Sequence, residues 1–174
     1  MTGVQTCALP ISKKAGALLT AGYAAIALPG VWNGRRQPKD EAGQVTSLPY
    51  LIPELQLFAT EGRTVCFAFD CDPKPRTIAH VSAAIAKTGE LFARQGCQVH
   101  VVRWAEPEKG CDDLIAARGA EAFHQAYAAA LDLASWQALR SRRLTYEPAV
   151  TLEQRYIEGV EVPADAQLDR KSVV

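Results

Sequence analysis

The stretch Thr64-Val-Cys-Phe-Ala-Phe-Asp-Cys-Asp72 decides the fold. From Val65 to Phe69 it is apolar without interruption, which suits a central parallel strand covered on both faces. The run stops at Asp70, and a second aspartate, Asp72, follows one residue later. Downstream, Pro75 opens a predicted helix to about residue 95, with Ile78, Val81, Ile85, Leu91 and Phe92 as its apolar side and Gly96 as its stop. Residues 97–104 read as the next strand and 106–110 as a loop; one helix starts at Asp112 and another covers 121–133. Upstream, residues 13–23 carry Ala17, Leu18 and Ala21 at helical spacing, and Gly22 sits where a helix stops. Residues 24–28 form a short apolar run turned by Pro29-Gly30, 31–49 read as a polar loop, and 52–59 resume a helical pattern with Pro53 in the first turn.

Helices and strands therefore alternate, which predicts an α/β fold with a parallel sheet flanked by helices. Ligands of such sheets bind beyond the carboxyl ends of the strands, and Asp70, Asp72, Asp112 and Asp113 all fall at or after such ends. After Ser135 the pattern decays into a basic stretch, Arg140, Arg142 and Arg143, and a mixed Pro-bounded segment, 145–163.

At 174 residues and 48% hydrophobic composition, the chain has enough material for one well-packed domain. Lys plus Arg and Asp plus Glu number 19 each, so no overall basic signature for nucleic acid is present and any such contact needs a local patch. The 5 cysteines include no C-x-x-C pair; Cys66 and Cys97 lie in apolar runs, where cysteine is usually a small core residue. A reducing, cytoplasmic compartment is expected, with no secretory leader and no membrane span.

Two aspartates one residue apart at a strand end can bring their carboxylates into one small volume, where a divalent cation removes the repulsion. All-oxygen ligation suits Mg²⁺ or Mn²⁺, and such an ion can clamp a phosphodiester or triphosphate. Asp70 and Asp72 are thus the candidate catalytic and metal-binding pair, Asp112 and Asp113 the second acidic group, and Lys74 a candidate phosphate contact. Each has a plainer reading: Asp70 and Asp72 as caps of the following helix, Asp112 as an N-cap, Asp113 as a first-turn dipole partner, Lys74 as a solvated lysine. His80, His100 and His124 read as packing or surface residues, and Trp32 as a loop anchor rather than a stacking platform for a base. Glu61-Gly62 precedes a strand and belongs at the opposite end of the sheet.

Three blocks in order, Lys13 to Gly30, Phe67-Ala-Phe-Asp-Cys-Asp72 and Lys109-Gly-Cys-Asp-Asp-Leu-Ile115, resemble the Toprim-like domain-of-unknown-function family 3854 over about residues 13–133. The family occurs in replication proteins of plasmids, phages and integrated elements. The resemblance implies a Toprim-like sheet, Mg²⁺ held by Asp70 and Asp72 with Asp112 or Asp113, and DNA, RNA or nucleotides as partners; Lys74 and Lys109 are the candidate phosphate or nucleic-acid contacts. It also implies a strand and a glutamate before the double lysine. Counting back places that glutamate at about Pro10, so the first strand and the acid are expected to be missing and the chain to be catalytically incomplete.

Residues 4–11, and more weakly the tail, resemble translated sequencing-adapter sequence. The expected organisation is a non-native segment 1–12, a Toprim-like domain 13–134, a linker or start of a downstream domain 135–168 and a non-native tail 169–174. Residues 144–157 look like the link to a downstream helicase-type ATPase, although no Walker loop is present. Two other readings compete. A haloacid-dehalogenase-type phosphohydrolase also uses strand-D-x-D, but Lys74 stands where it expects Thr or Val. A non-catalytic module that positions DNA is the other.

Overall fold

In the computed structural model, residues 6–9, 12–105 and 107–141 are described. The apolar run found in the sequence forms β5 (Thr64–Phe67), and its alternation explains the layers around it. Phe67 packs against Phe92 on one face, with ring centroids 6.3 Å apart. Cys66 and Ala68 point the other way, into a cluster with Ala15, Leu18, Val102, Cys111, Leu114 and Phe123. Both faces are buried, which is why the strand reads as apolar rather than alternating.

Four strands run parallel: β1 (Thr6–Leu9), β2 (Ala24–Ala27), β5 and β6 (Gln98–Val101). A short strand, β7 (Leu131–Asp132), closes the far edge antiparallel to β6, giving the order β2-β1-β5-β6-β7. Helix α1 (Ser12–Thr20) links β1 to β2 and shares the Cys66 face with α4 (Cys111–Arg118) and α5 (Ala120–Ala128). Helix α3 (Pro75–Arg94) covers the Phe67 face. On that side too lies a two-stranded hairpin, β3 (Arg35–Arg36) with β4 (Tyr50–Leu51), followed by the single-turn α2 (Pro53–Gln56). Gly34 lets this hairpin approach closely: a Cβ there would stand 3.0 Å from Leu55, 3.2 Å from Leu28 and 3.3 Å from Thr88 of α3.

The alternating α/β pattern is as expected, with three differences. Thr6–Leu9 is a strand, paired with β2 on one side and β5 on the other, which corrects the expectation that the first strand is missing. Thr-Cys-Ala-Leu has little strand signal of its own; pairing on both flanks overrides weak local preference. Residues 31–49 were expected to be loop throughout, yet they contribute β3. Finally, the last expected helix ends at Ala128 and the chain turns into β7. Ala128-Ala129-Ala130 carries no helix-stopping residue, so nothing local announces the turn.

The chain divides into two units, Met1–Ser135 and Trp136–Val174. Of the second, residues 136–141 are described and are helical, with the Ser141 hydroxyl donating to the Gln137 carbonyl at 3.1 Å. The basic pair Arg142 and Arg143, the suggested ATPase link 144–157 and the suggested tail 169–174 lie outside the described residues, as does Pro10. Among the described residues no helix is long and apolar enough to cross a membrane.

Candidate functional site

The strand order reverses direction at β1. From β1 the chain steps outward through α1 to β2, then returns across the sheet to β5 on the other flank. The carboxyl ends of β1 and β5 therefore diverge in their connections and leave a crevice, the place where open α/β sheets bind ligands. Three segments meet there: the first turn of α1, the loop between β5 and α3, and the loop between β6 and α4. The two loops are tied directly, since the Cys71 amide donates to the Lys109 carbonyl at 2.9 Å.

Lys14, from the first turn of α1, is 7% exposed and extends its ammonium between two carboxylates. Nζ lies 3.2 Å from Asp70 Oδ1 and 3.8 Å from Asp112 Oδ1. Lys13, beside it, reaches Asp112 Oδ2 at 3.4 Å. Among the described residues both Oδ1 atoms are shut off from solvent without a hydrogen-bond partner, so the lysine ion pairs are what meets their charges. Burial pulls the Lys14 ammonium toward deprotonation, but the Asp70 and Asp112 carboxylates outweigh it and hold its pKa above 10.5.

Asp72 faces a different set of groups. Its Oδ1 accepts from the Lys74 amide at 2.9 Å, and Lys109 Nζ lies 3.1 Å from its Oδ2. These two contacts, the Lys74 amide first, hold its carboxyl below the usual 3.8. Asp113 lies in the first turn of α4 and accepts from the Gly110 amide at 3.2 Å; the N-cap itself is Gly110, which corrects the reading of Asp112 as an N-cap. Gly110 matters sterically too: a Cβ there would run into Asp112 Oδ1 and stand 2.9 Å from Lys14 Cε. Under α4, burial and then the Asp112 charge push the Cys111 thiol up to about 12, so it packs as a neutral thiol.

The sequence-expected residues thus all gather at one rim but pair differently from the D-x-D expectation. Asp70 converges with Asp112 across the two loops, while Asp72 turns toward Lys109 and the start of α3. The Lys74 side chain is exposed; its amide donates to Asp72 and its carbonyl accepts from the Ile78 amide. Glu61-Gly62 lies before β5, at the other end of the strand, where Gly62 bonds Gly96. Trp32 is half-buried and its indole donates to His80 Nε2 at 2.9 Å, anchoring the loop to α3.

Lys14 carried no assigned role in the sequence reading. The available signal was electrostatic: two adjacent lysines in the first turn of a helix oppose the macrodipole, so something acidic had to face them.

Among the described residues, no group of three or more His, Cys, Asp and Glu is disposed to hold a metal ion. The pair Asp70 and Asp112 nevertheless suits a hard cation: two shielded, donor-free carboxylate oxygens already share one positive charge. Mg²⁺ commonly takes one or two carboxylates and completes its shell with water and phosphate.

A family model described as a domain of unknown function, DUF3854, matches residues 8–122. An uncharacterized protein of the cyanobacterium Picosynechococcus sp. is 46% identical over 160 residues, covering 90% of this chain. The chain spans 16% of that protein's length.

Proposed function

The chain belongs to the DUF3854 family of domains of unknown function, and from that premise we propose that it is a Toprim-like domain of a nucleic-acid replication protein, binding Mg²⁺ or Mn²⁺ for nucleotidyl or phosphodiester chemistry. Asp70 and Asp112 are the primary ligands in this reading, and Asp72 is the third carboxylate of the rim. The observation that carries it is the pair of solvent-shielded, donor-free oxygens facing one ammonium at the topological switch point. When bound, the ion supplies positive charge against phosphoryl oxygens. Lys109 and Lys74, exposed beside Asp72, place two further cations where a phosphate would sit.

Proton transfer is the missing half of that chemistry. The residue directly after β1, where the family resemblance puts a glutamate, is Pro10, which has no titratable side chain. The domain as it stands is therefore proposed to bind metal and phosphate without completing a reaction, and the helicase-type ATPase is proposed as a neighbour in the longer protein.

Titration with Mn²⁺ followed by electron paramagnetic resonance tests the reading. Binding is expected for the wild-type chain, with affinity falling at least tenfold in both Asp70→Asn and Asp112→Asn. A wild-type chain that leaves Mn²⁺ free, or variants that bind it equally well, would refute the assignment.

A further inference from the structure

We propose that the cleft between α3 and the β3–β4 hairpin is a second binding site, separate from the carboxylate rim, that takes a phosphate group of a nucleic-acid strand. The cleft has a volume of about 220 Å³ and is lined by Arg35, Gln37, Pro49, Lys87, Glu90, Leu91 and Arg94. Three cations face one carboxylate there, a local excess in a chain whose charges balance overall. None of the three cations forms an ion pair among the described residues.

The cations are also held in place. Arg35 Cζ and Lys87 Nζ both lie over the Trp32 ring, 5.9 and 5.8 Å from its centroid. The indole is itself fixed by its bond to His80. Trp32 thus acts as a pillar that orders an arginine from the hairpin and a lysine from α3 around one space, so less freedom is lost when an anion arrives. Arg35 is only partly satisfied: Nη2 donates to Gln37 Oε1 at 3.0 Å, while Nε is shielded from solvent with no acceptor. A guanidinium with an idle donor beside a lysine matches the forked geometry of a phosphate.

The same face of α3 continues toward the D-x-D loop. Arg76, His80, Lys87 and Arg94 are exposed and recur at spacings of four, seven and seven residues, a stripe along one side of the helix. From Arg76 to Arg94 it runs about 27 Å, long enough to follow a strand rather than a lone anion. That length favours the backbone of a single strand, while a free nucleotide offers the same phosphate chemistry.

The test uses the full chain in EDTA, so that metal at the carboxylate rim plays no part. Anisotropy of a short fluorescein-labelled oligothymidylate is followed across a salt series, with unlabelled thymidine monophosphate as competitor. Wild type is expected to bind. The double variant Lys87→Gln with Arg94→Gln should bind roughly tenfold more weakly, and its slope of log K against log salt should be shallower by about 1.4, two phosphate contacts on a single strand. Both residues are exposed, so the thermal unfolding midpoint should not move. Competition by the monophosphate at concentrations near those of the oligonucleotide would identify a single-phosphate site; competition only in large excess would identify the strand. Absence of binding to either probe, or an unchanged slope in the cleft variant, would each overturn the proposal, and neither depends on the Mn²⁺ result.

Discussion

Lys14 is disfavoured twice, by removal from water and by its place in the positive first turn of a helix, and two aspartates offset both penalties. Replacing it by methionine leaves Asp70 and Asp112 facing each other with no buried cation between them. Lys14→Met is expected to lower stability by roughly 2 kcal/mol in metal-free buffer, less than for a fully buried pair, because the Asp70 side chain is still 26% exposed. Urea unfolding with and without Mn²⁺ checks this, and the ion should restore part of the loss. An equal midpoint for the variant and wild type without metal would mean that the carboxylates do not repel. Asp132 offers a pH-linked counterpart. The Ser135 hydroxyl at 2.6 Å and then its amide at 2.9 Å hold the Asp132 carboxyl below 3.8. A lowered folded-state value means the stabilisation is present above pH 3.8 and is lost as pH falls through the folded value. Asp132→Asn should therefore unfold at lower urea than wild type at neutral pH, with the gap narrowing in acid; a gap independent of pH would count against the charged cap.

At the scale of elements, α3 makes a close approach to the sheet at Gly89. A Cβ on Gly89 would stand 3.0 Å from Leu133 Cδ2 and 3.3 Å from Val99 Cγ1, so the helix rests against β6 at a point where no side chain fits. Gly89→Val should cost about 2 kcal/mol through overpacking, despite the gain in helix propensity, and chemical denaturation can measure it. The sequence reading located α3, β5 and β6 because each is bounded by strong signals: Pro75 opens α3, Gly96 ends it, and β5 is apolar on both faces. It missed β1, β3 and β7. β3 and β7 have two residues each, too short for a period-two pattern; β1 is as long as β5 and β6, but Thr-Cys-Ala-Leu lies in the segment read as non-native and carries little strand signal, and all three exist through pairing to partners distant in the chain.

The unit Met1–Ser135 is organised around a sheet with a core on each side. Phe123, fully buried on the Cys66 face, has Tyr23 edge-on at 5.1 Å and Trp104 at 6.2 Å. Phe123→Ala should cost about 3 kcal/mol, readable as a lower thermal midpoint. An unchanged midpoint would mean that this cluster does not hold α5 to the sheet. The site was half legible at this scale. The aspartates could be placed at strand ends from sequence order, but which carboxylates share a cation depends on how the two loops are stitched by Cys71 and Lys109, a three-dimensional fact.

The interior position of β1 has a further consequence. Its register joins Thr6 to Ala24 on one flank and to Val65 on the other. Were these four residues lost, β2 and β5 would each present an open row of backbone donors and acceptors, and β5 is among the most apolar segments of the chain. Such bared margins recruit strands from neighbouring molecules, so the weakest-looking peptide in the sequence is what keeps the sheet from seeking partners outside itself.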